Sequence, residues 1–200
     1  SADQDGLIAI QADLSHRDEL ERGFCQAVEA LGTLDILVNS HGITYRQAAE
    51  EYPLDRWDLV LEVNLTSVFR LCQLAAEIML PRGSGKIINV ASMLSFSGGV
   101  TVPAYAASKG GVAQLTKALA NEWASRGINV NAIAPGYMAT DLTEALRNDP
   151  ERNREIRERI PAGRWGTPED LKGAVVFLAS RASDYVHGAI IPVDGGWLGR

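Results

Sequence analysis

A layered α/β fold built on a parallel sheet is what this sequence predicts, and three observations predict it. Short apolar runs alternate with longer amphipathic segments from end to end, those runs are rich in Ile and Val, and no repeat or Pro/Gly-rich linker interrupts them. Alternation of that kind makes βαβ units with strands buried on both faces. At 200 residues, 46% of them apolar and 22% charged, residues 1–200 fit one domain with a single substantial core.

Five runs read as buried strands: Leu7 to Gln11, Asp35 to Asn39, Lys86 to Ala91, Ile128 to Ala134 and Ile190 to Val193. The first helix is expected from Ser15, where Ser15 and Asp18 form a capping-box signature, to about Leu31. A second, Leu54 to Leu80, puts Trp57, Val60, Leu61, Val68, Leu71, Ala75 and Ile78 on one face at the 3.6-residue period, and Asn64 interrupts that face. A third, about Ala104 to Ser125, buries Val112, Leu115, Leu119 and Trp123. Beyond Thr140 comes a strongly charged stretch, Arg147 to Arg159, before Thr167-Pro168-Glu169-Asp170 caps a last helix ending near Ser180. Insertions between regular elements often cover a site, so residues 141–166 are a candidate lid; their charges would otherwise only solvate a helix face. Gly83-Ser84-Gly85 leads into a strand rather than a helix N-terminus and reads as a turn, not a phosphate loop.

Nineteen Lys plus Arg against twenty-five Asp plus Glu give a net charge of −6, which repels nucleic-acid backbones and anionic lipid. The apolar stretch Leu61 to Leu80 carries Glu62, Arg70 and Glu77, so no membrane span is expected. The opening residues Ser-Ala-Asp-Gln-Asp-Gly contain no basic or apolar leader, and the expected location is cytoplasmic. Cys25 and Cys72 have no second ligand at metal-binding spacing and read as free thiols, with no metal site.

The chemistry concentrates in Ser92, Tyr105 and Lys109. Spacing of i, i+4 puts Tyr105 and Lys109 on one helical face, and Ser92 ends the neighbouring strand. A free tyrosine, with a pKa of about 10, is a poor base near neutrality, but a fixed ammonium beside it favours the phenolate. Tyr105 is then a candidate for proton exchange with a substrate hydroxyl or carbonyl, with Ser92 orienting the same oxygen. The Tyr-x-x-x-Lys pair alone is weak, since about 0.1 chance matches are expected in this composition. Asn64 is either a helix-packing amide or a water-holding member of a proton relay.

In this order the residues resemble the short-chain dehydrogenase/reductase family, whose active site is an Asn-Ser-Tyr-Lys tetrad on a Rossmann fold. The likeness includes Asp13-Leu14, Asp35 to Asn39, Asn64, Ser92, Tyr105 with Lys109, Asn129 to Gly136, and Val193-Asp194-Gly195-Gly196. It implies a Rossmann-type doubly wound parallel sheet and a nicotinamide cofactor, NAD, with NADP open. By the same resemblance Asn64, Ser92, Tyr105 and Lys109 are catalytic, and Lys109 also holds the nicotinamide ribose. Asp13 and Leu14 meet the adenine, Asn39, His41 and Gly42 line the adenosine side, and Pro135, Gly136, Met138 and Thr140 border the nicotinamide. Each has a plainer reading: Asp13 before a helix cap, Asn39 closing a strand, Pro135-Gly136 in an ordinary turn.

Two departures stand out. Where the family usually has Asn-Asn-Ala-Gly, this chain has Asn39-Ser40-His41-Gly42, so an imidazole replaces a methyl beside the expected cofactor. That ring would narrow the ribose pocket or point away from it. The glycine-rich turn of the first Rossmann strand is also absent, so at least one βαβ unit of about 30 residues, with its N-terminal strands, is expected to be lacking.

Within the family the likeness is greatest to members acting on keto-deoxy sugar acids. It rests on Ala91 to Phe96, Asn121 to Ala124, Ala134 to Thr140, Ile160 to Gly166 and Gly195-Gly196-Trp197. It implies hydride transfer at the C5 oxygen of a keto or hydroxy sugar acid, with Arg46 or Arg164 as a bidentate partner for the carboxylate. Members acting on gluconate or on carrier-bound acyl ketones share the tetrad, and a truncated non-catalytic subunit is a further alternative. A homotetramer packed through the second and third helices is implied as well.

Overall fold

A computed structural model of the chain describes residues 6–200. Four strands, β1 (Ile36–Asn39), β2 (Gly85–Val90), β3 (Ile128–Pro135) and β4 (Ile190–Val193), form one parallel sheet in the order β1-β2-β3-β4. Ile36 pairs with Lys86, Ile87 with Val130, and Ala132 with Ile190. The period of two then sorts the side chains. Ile87, Ala91, Ile128, Val130 and Ala132 face a core shared with α3 (Ser67–Arg82) and α4 (Pro103–Trp123), which add Val68, Cys72, Met79, Val112, Leu119 and Trp123. Ile88 and Ile133 face the other way, against Leu178 of α7 (Pro168–Ala179). Helices therefore cover both faces of the sheet, the expected doubly wound arrangement.

The expected strand Leu7 to Gln11 does not form. Among the described residues nothing offers it a ladder, Leu7 is 70% exposed, and Ala12 instead lies against Gly23 of α1 (Arg17–Leu31), where a Cβ would come within 2.8 Å of the Ala12 methyl. The start of α1 also differs: Ser15 and Asp18 form no capping box, and the Asp13 carboxylate accepts from the Ser15 amide and hydroxyl in a turn just ahead of the helix.

The second expected helix is continuous from Leu54 to Arg82 but not uniform: α2 (Leu54–Leu61) and α3 flank a π-turn at Glu62–Thr66. The extra residue in that turn rotates the following face. Cys72, Ala76 and Met79 fill the core, and the expected Leu71 and Ile78 are only partly buried. By length and composition this helix could cross a membrane, yet its apolar face is packed on the sheet. It is a core helix.

Residues 141–166 contain α5 (Glu144–Asn148) and α6 (Pro150–Arg159). Most of the α6 charges do solvate its outer face, as in the Arg154–Glu158 pair, while Ile156 and Ile160 are buried against Met93 and Trp197. Thr167 caps α7 with the reciprocal Thr167–Asp170 capping box.

Candidate active site

The C-terminal ends of β1 and β2 lead into one corner, across which the first turns of α4 are laid. Parallel α/β sheets place ligand sites outside the carboxyl ends of their strands. Asn64, Ser92, Tyr105, Lys109 and Gly42 meet there.

Lys109 is 3% exposed, and its Nζ donates to the Val90 carbonyl at 2.7 Å. Among the described residues this is its one hydrogen bond, and no carboxylate pairs with it. Two ammonium protons are left without a protein acceptor. Burial lowers its pKa to about 8, so it is still mostly charged near neutrality. A Cβ on Gly42 would stand 3.3 Å from Asn64 Oδ1 and 3.5 Å from Lys109 Nζ, so the loop backbone passes close beside the ammonium.

Tyr105 lies in the first turn of α4, behind Pro103. Its phenol is shifted upward by burial, and the neighbouring Ser92 hydroxyl and the Arg46 charge pull it down only in part. This corrects the expected electrostatics. The Lys109 ammonium lies 5.9 Å from the Tyr105 ring centroid and is turned toward Val90, so burial outweighs it and the phenol holds its proton. Ser92, 7% exposed, accepts from the Leu94 amide at 3.1 Å, and its own hydroxyl faces the Tyr105 phenol.

Asn64 is fully buried in the π-turn. Its carboxamide holds the Ile43 backbone at both ends, accepting from N at 2.8 Å and donating to O at 2.9 Å, and donates its other proton to Ser108 Oγ at 3.1 Å. Ser108 in turn donates to the Tyr105 carbonyl at 2.8 Å. Both amide protons are thus committed, so the side chain ties the glycine loop to α4, and a water could reach only the second lone pair of Oδ1.

Other expected contacts are placed differently. The Asn39 side chain is turned into the interior, donating to Asn89 Oδ1 at 2.9 Å and contacting Cys72 Sγ, so only its backbone can face a ligand. His41 also turns inward, with Nε2 2.7 Å from Ser67 Oγ. Ser67 donates its one proton to the Val63 carbonyl at 2.6 Å, so it accepts from His41, whose Nε2 carries the hydrogen. Desolvation, then the Lys109 charge, lower the His41 pKa to about 4, which removes it as an acid/base near neutrality. Arg164 is bonded through both guanidinium ends to Asp170 at 2.8 Å, which leaves Arg46 as the better placed of the two candidate carboxylate partners. Met138 and Arg164 line a groove with Asp170 and Asp194 that none of the tetrad residues borders. Gly136 has no room for a side chain, since a Cβ there would stand 2.6 Å from Asp194 Cα, and Thr140 caps a short turn at Asp141–Thr143. Asp13 is exposed, with Leu14 beside it in the turn before α1.

Two serines escaped the sequence reading. Ser108 carries no signal beyond its place between Tyr105 and Lys109. Ser95 does: Ser92-x-x-Ser95 has capping-box spacing, and that box forms.

The chain belongs to the short-chain dehydrogenase/reductase family: a family profile described as Enoyl-(Acyl carrier protein) reductase matches residues 1–198. It is 62% identical over 167 residues to the 2-dehydro-3-deoxy-D-gluconate 5-dehydrogenase of Bacillus subtilis, covering 84% of this chain and 66% of that one. The Escherichia coli protein of the same name is 54% identical over 97% of this chain and 77% of its own length. A Beutenbergia cavernae structure with bound NADP superposes with a TM-score of 0.93 at 52% identity, covering 96% of this chain and 77% of that one. The chain thus spans about two thirds to three quarters of these relatives.

Proposed function

We propose that this protein is an NAD(P)-dependent dehydrogenase that interconverts a secondary alcohol and a ketone at C5 of 2-dehydro-3-deoxy-D-gluconate. One observation carries the reading: the Tyr105 phenol sits between the Ser92 hydroxyl, which faces it, and a buried ammonium with protons that no protein atom accepts. Buried donors left open in this way are costly unless a ligand meets them. A ribose diol against Lys109 and a substrate oxygen against Ser92 would do so, and the close-packed Gly42 backbone leaves room for the ligand rather than for a side chain. A nicotinamide cofactor would supply the hydride. In the reducing direction Tyr105 gives its proton to the substrate oxygen while Ser92 donates a hydrogen bond to the same atom; in the oxidising direction both act in reverse. Lys109, charged and fixed on Val90, orients the ribose and favours the tyrosinate as it forms.

The substrate class is supported by the names of the relatives above and by Arg46, whose charge is felt at Tyr105 and which can meet a carboxylate at the rim. The 141–166 segment serves as substrate cover, with Ile156 and Ile160 seated on Met93 next to Ser92. We place the enzyme in the cytoplasm as a homotetramer built on the outward faces of α2, α3 and α4, where Leu54 is 77% and Phe69 40% exposed.

The test is a comparison of kcat/KM for 2-dehydro-3-deoxy-D-gluconate, gluconate and a 3-oxoacyl thioester, with NAD(H) and NADP(H) in turn. The sugar-acid reading expects at least a tenfold preference for the first. Equal or greater turnover of gluconate or the thioester would contradict it. Arg46→Ala should raise KM for the sugar acid more than it lowers kcat; an unchanged KM would remove the carboxylate role.

A further inference from the structure

We propose that Ser95 is a positioning residue that sets the distance between Ser92 and the Tyr105–Lys109 pair. Ser92 and Lys109 come from different elements, the end of β2 and the second turn of α4, so nothing in the local sequence fixes their separation. The Ser95 hydroxyl spans it. Its Oγ donates to the Lys109 carbonyl at 2.6 Å and accepts from the Ser92 backbone amide at 3.3 Å, so one atom bonds the main chains of two of the four site residues. The turn Met93–Ser95 is closed by the reciprocal bond from the Leu94 amide to Ser92 Oγ at 3.1 Å. The Leu94 amide thus holds the Ser92 hydroxyl, and Ser95 holds the backbone that carries it. Inside a helix the Lys109 carbonyl already has an intrahelical role, so the added serine bond serves the contact between turn and helix rather than helix continuity.

The effect expected on removing this bond follows from positioning: displacement of a reacting group by about 1 Å costs on the order of a hundredfold in rate without loss of binding. Ser95 touches neither substrate nor cofactor, so KM should stay near its wild-type value while kcat falls. This inference rests on the dehydrogenase reading above.

The experiment compares Ser95→Thr with Ser95→Val, which have nearly the same shape and differ in the hydroxyl. Ser95→Thr should retain kcat within threefold of wild type. Ser95→Val should lose at least tenfold in kcat, with KM for both sugar acid and nicotinamide cofactor within threefold. If Ser95→Val fails to fold, Ser95→Ala takes its place in the same comparison with Thr. Equal kcat in the Thr and Val (or Ala) variants would overturn the proposal, and so would a loss that appears wholly in KM. Tyr105→Phe run alongside keeps the two readings apart. If that variant keeps wild-type activity, the catalytic assignment has failed; if it is inactive and the hydroxyl at residue 95 makes no difference, only the positioning claim has failed.

Discussion

Two buried polar clusters lie beneath α4, and they differ in how completely their hydrogen bonds close. One joins Asn39, Asn89, Cys72 and Thr116: Asn39 donates to Asn89 at 2.9 Å, Asn89 to Thr116 at 3.0 Å, and Thr116 to the Val112 carbonyl at 2.8 Å. Apart from Asn39 Oδ1, every amide and hydroxyl group in it has a partner within the cluster or in the backbone. The other holds Ser92, Tyr105 and Lys109, and there the Ser92 hydroxyl faces the Tyr105 phenol while the Lys109 ammonium keeps protons that the protein does not accept. Both clusters are buried and both contain residues at strand ends, so each polar group in them carries a desolvation cost. The difference teaches that a closed network fastens β1, β2, α3 and α4 together, whereas an open one is built to receive something.

The largest expected effect falls on the open cluster. Lys109→Met should abolish most turnover and yet stabilise the fold. Its folded pKa of about 8 lies below the unfolded value, so between roughly pH 8 and 10.5 the unfolded chain binds more protons and stability rises with pH. Below pH 8 the buried charge costs its full penalty. Lys109→Met should then be more stable than wild type by about 2 kcal/mol at pH 7, with the gap narrowing toward pH 10.5. Denaturant melts across that range check it; a less stable variant at pH 7 would contradict the account.

Asn89→Ala should behave in the opposite sense. It strands the Asn39 amide and leaves the Thr116 hydroxyl only its bond to Val112, and a loss of about 2–4 kcal/mol is expected, with kcat per folded molecule unchanged within threefold. A well-folded Asn89→Ala with kcat lowered a hundredfold would show that the two clusters are not separable.

His41 sharpens the boundary between them. Its folded pKa of about 4 lies below the unfolded value near 6.5, so it contributes stability that is complete above pH 6.5 and is lost as pH falls through 4. His41→Gln, which can still donate to Ser67, should flatten the acid limb of the stability profile by on the order of 2 kcal/mol between pH 6.5 and 4. An unchanged limb would mean that the ring is not held neutral.

Most of this could be seen in the sequence. The four strands that pair and the cap at Thr167 follow from periodicity and capping chemistry, which are local, whereas the Ser92, Tyr105, Lys109 and Asn64 set was marked out by its resemblance to the family's pattern. What was missed is non-local. Leu7 to Gln11 has strand composition, but a strand needs a neighbour, and pairing is not written in the run itself. The π-turn at Glu62–Thr66 shifts a helical face by one residue and leaves no compositional mark. The direction of a side chain such as Asn39 or His41 depends on which acceptor the other side of the fold provides. Arg164 was a plausible carboxylate clamp until Asp170, six residues on, proved to occupy both ends of its guanidinium.

The most direct measurement is the single-turnover rate of Tyr105→Phe beside the wild-type protein, with nicotinamide binding followed separately by calorimetry. The substitution removes one transferable proton and leaves the ring, the Ser92 hydroxyl and the Lys109 ammonium in place. The account predicts cofactor affinity within threefold of wild type and a rate lower by about a thousandfold, the scale of a lost general acid. A rate within tenfold of wild type would contradict it.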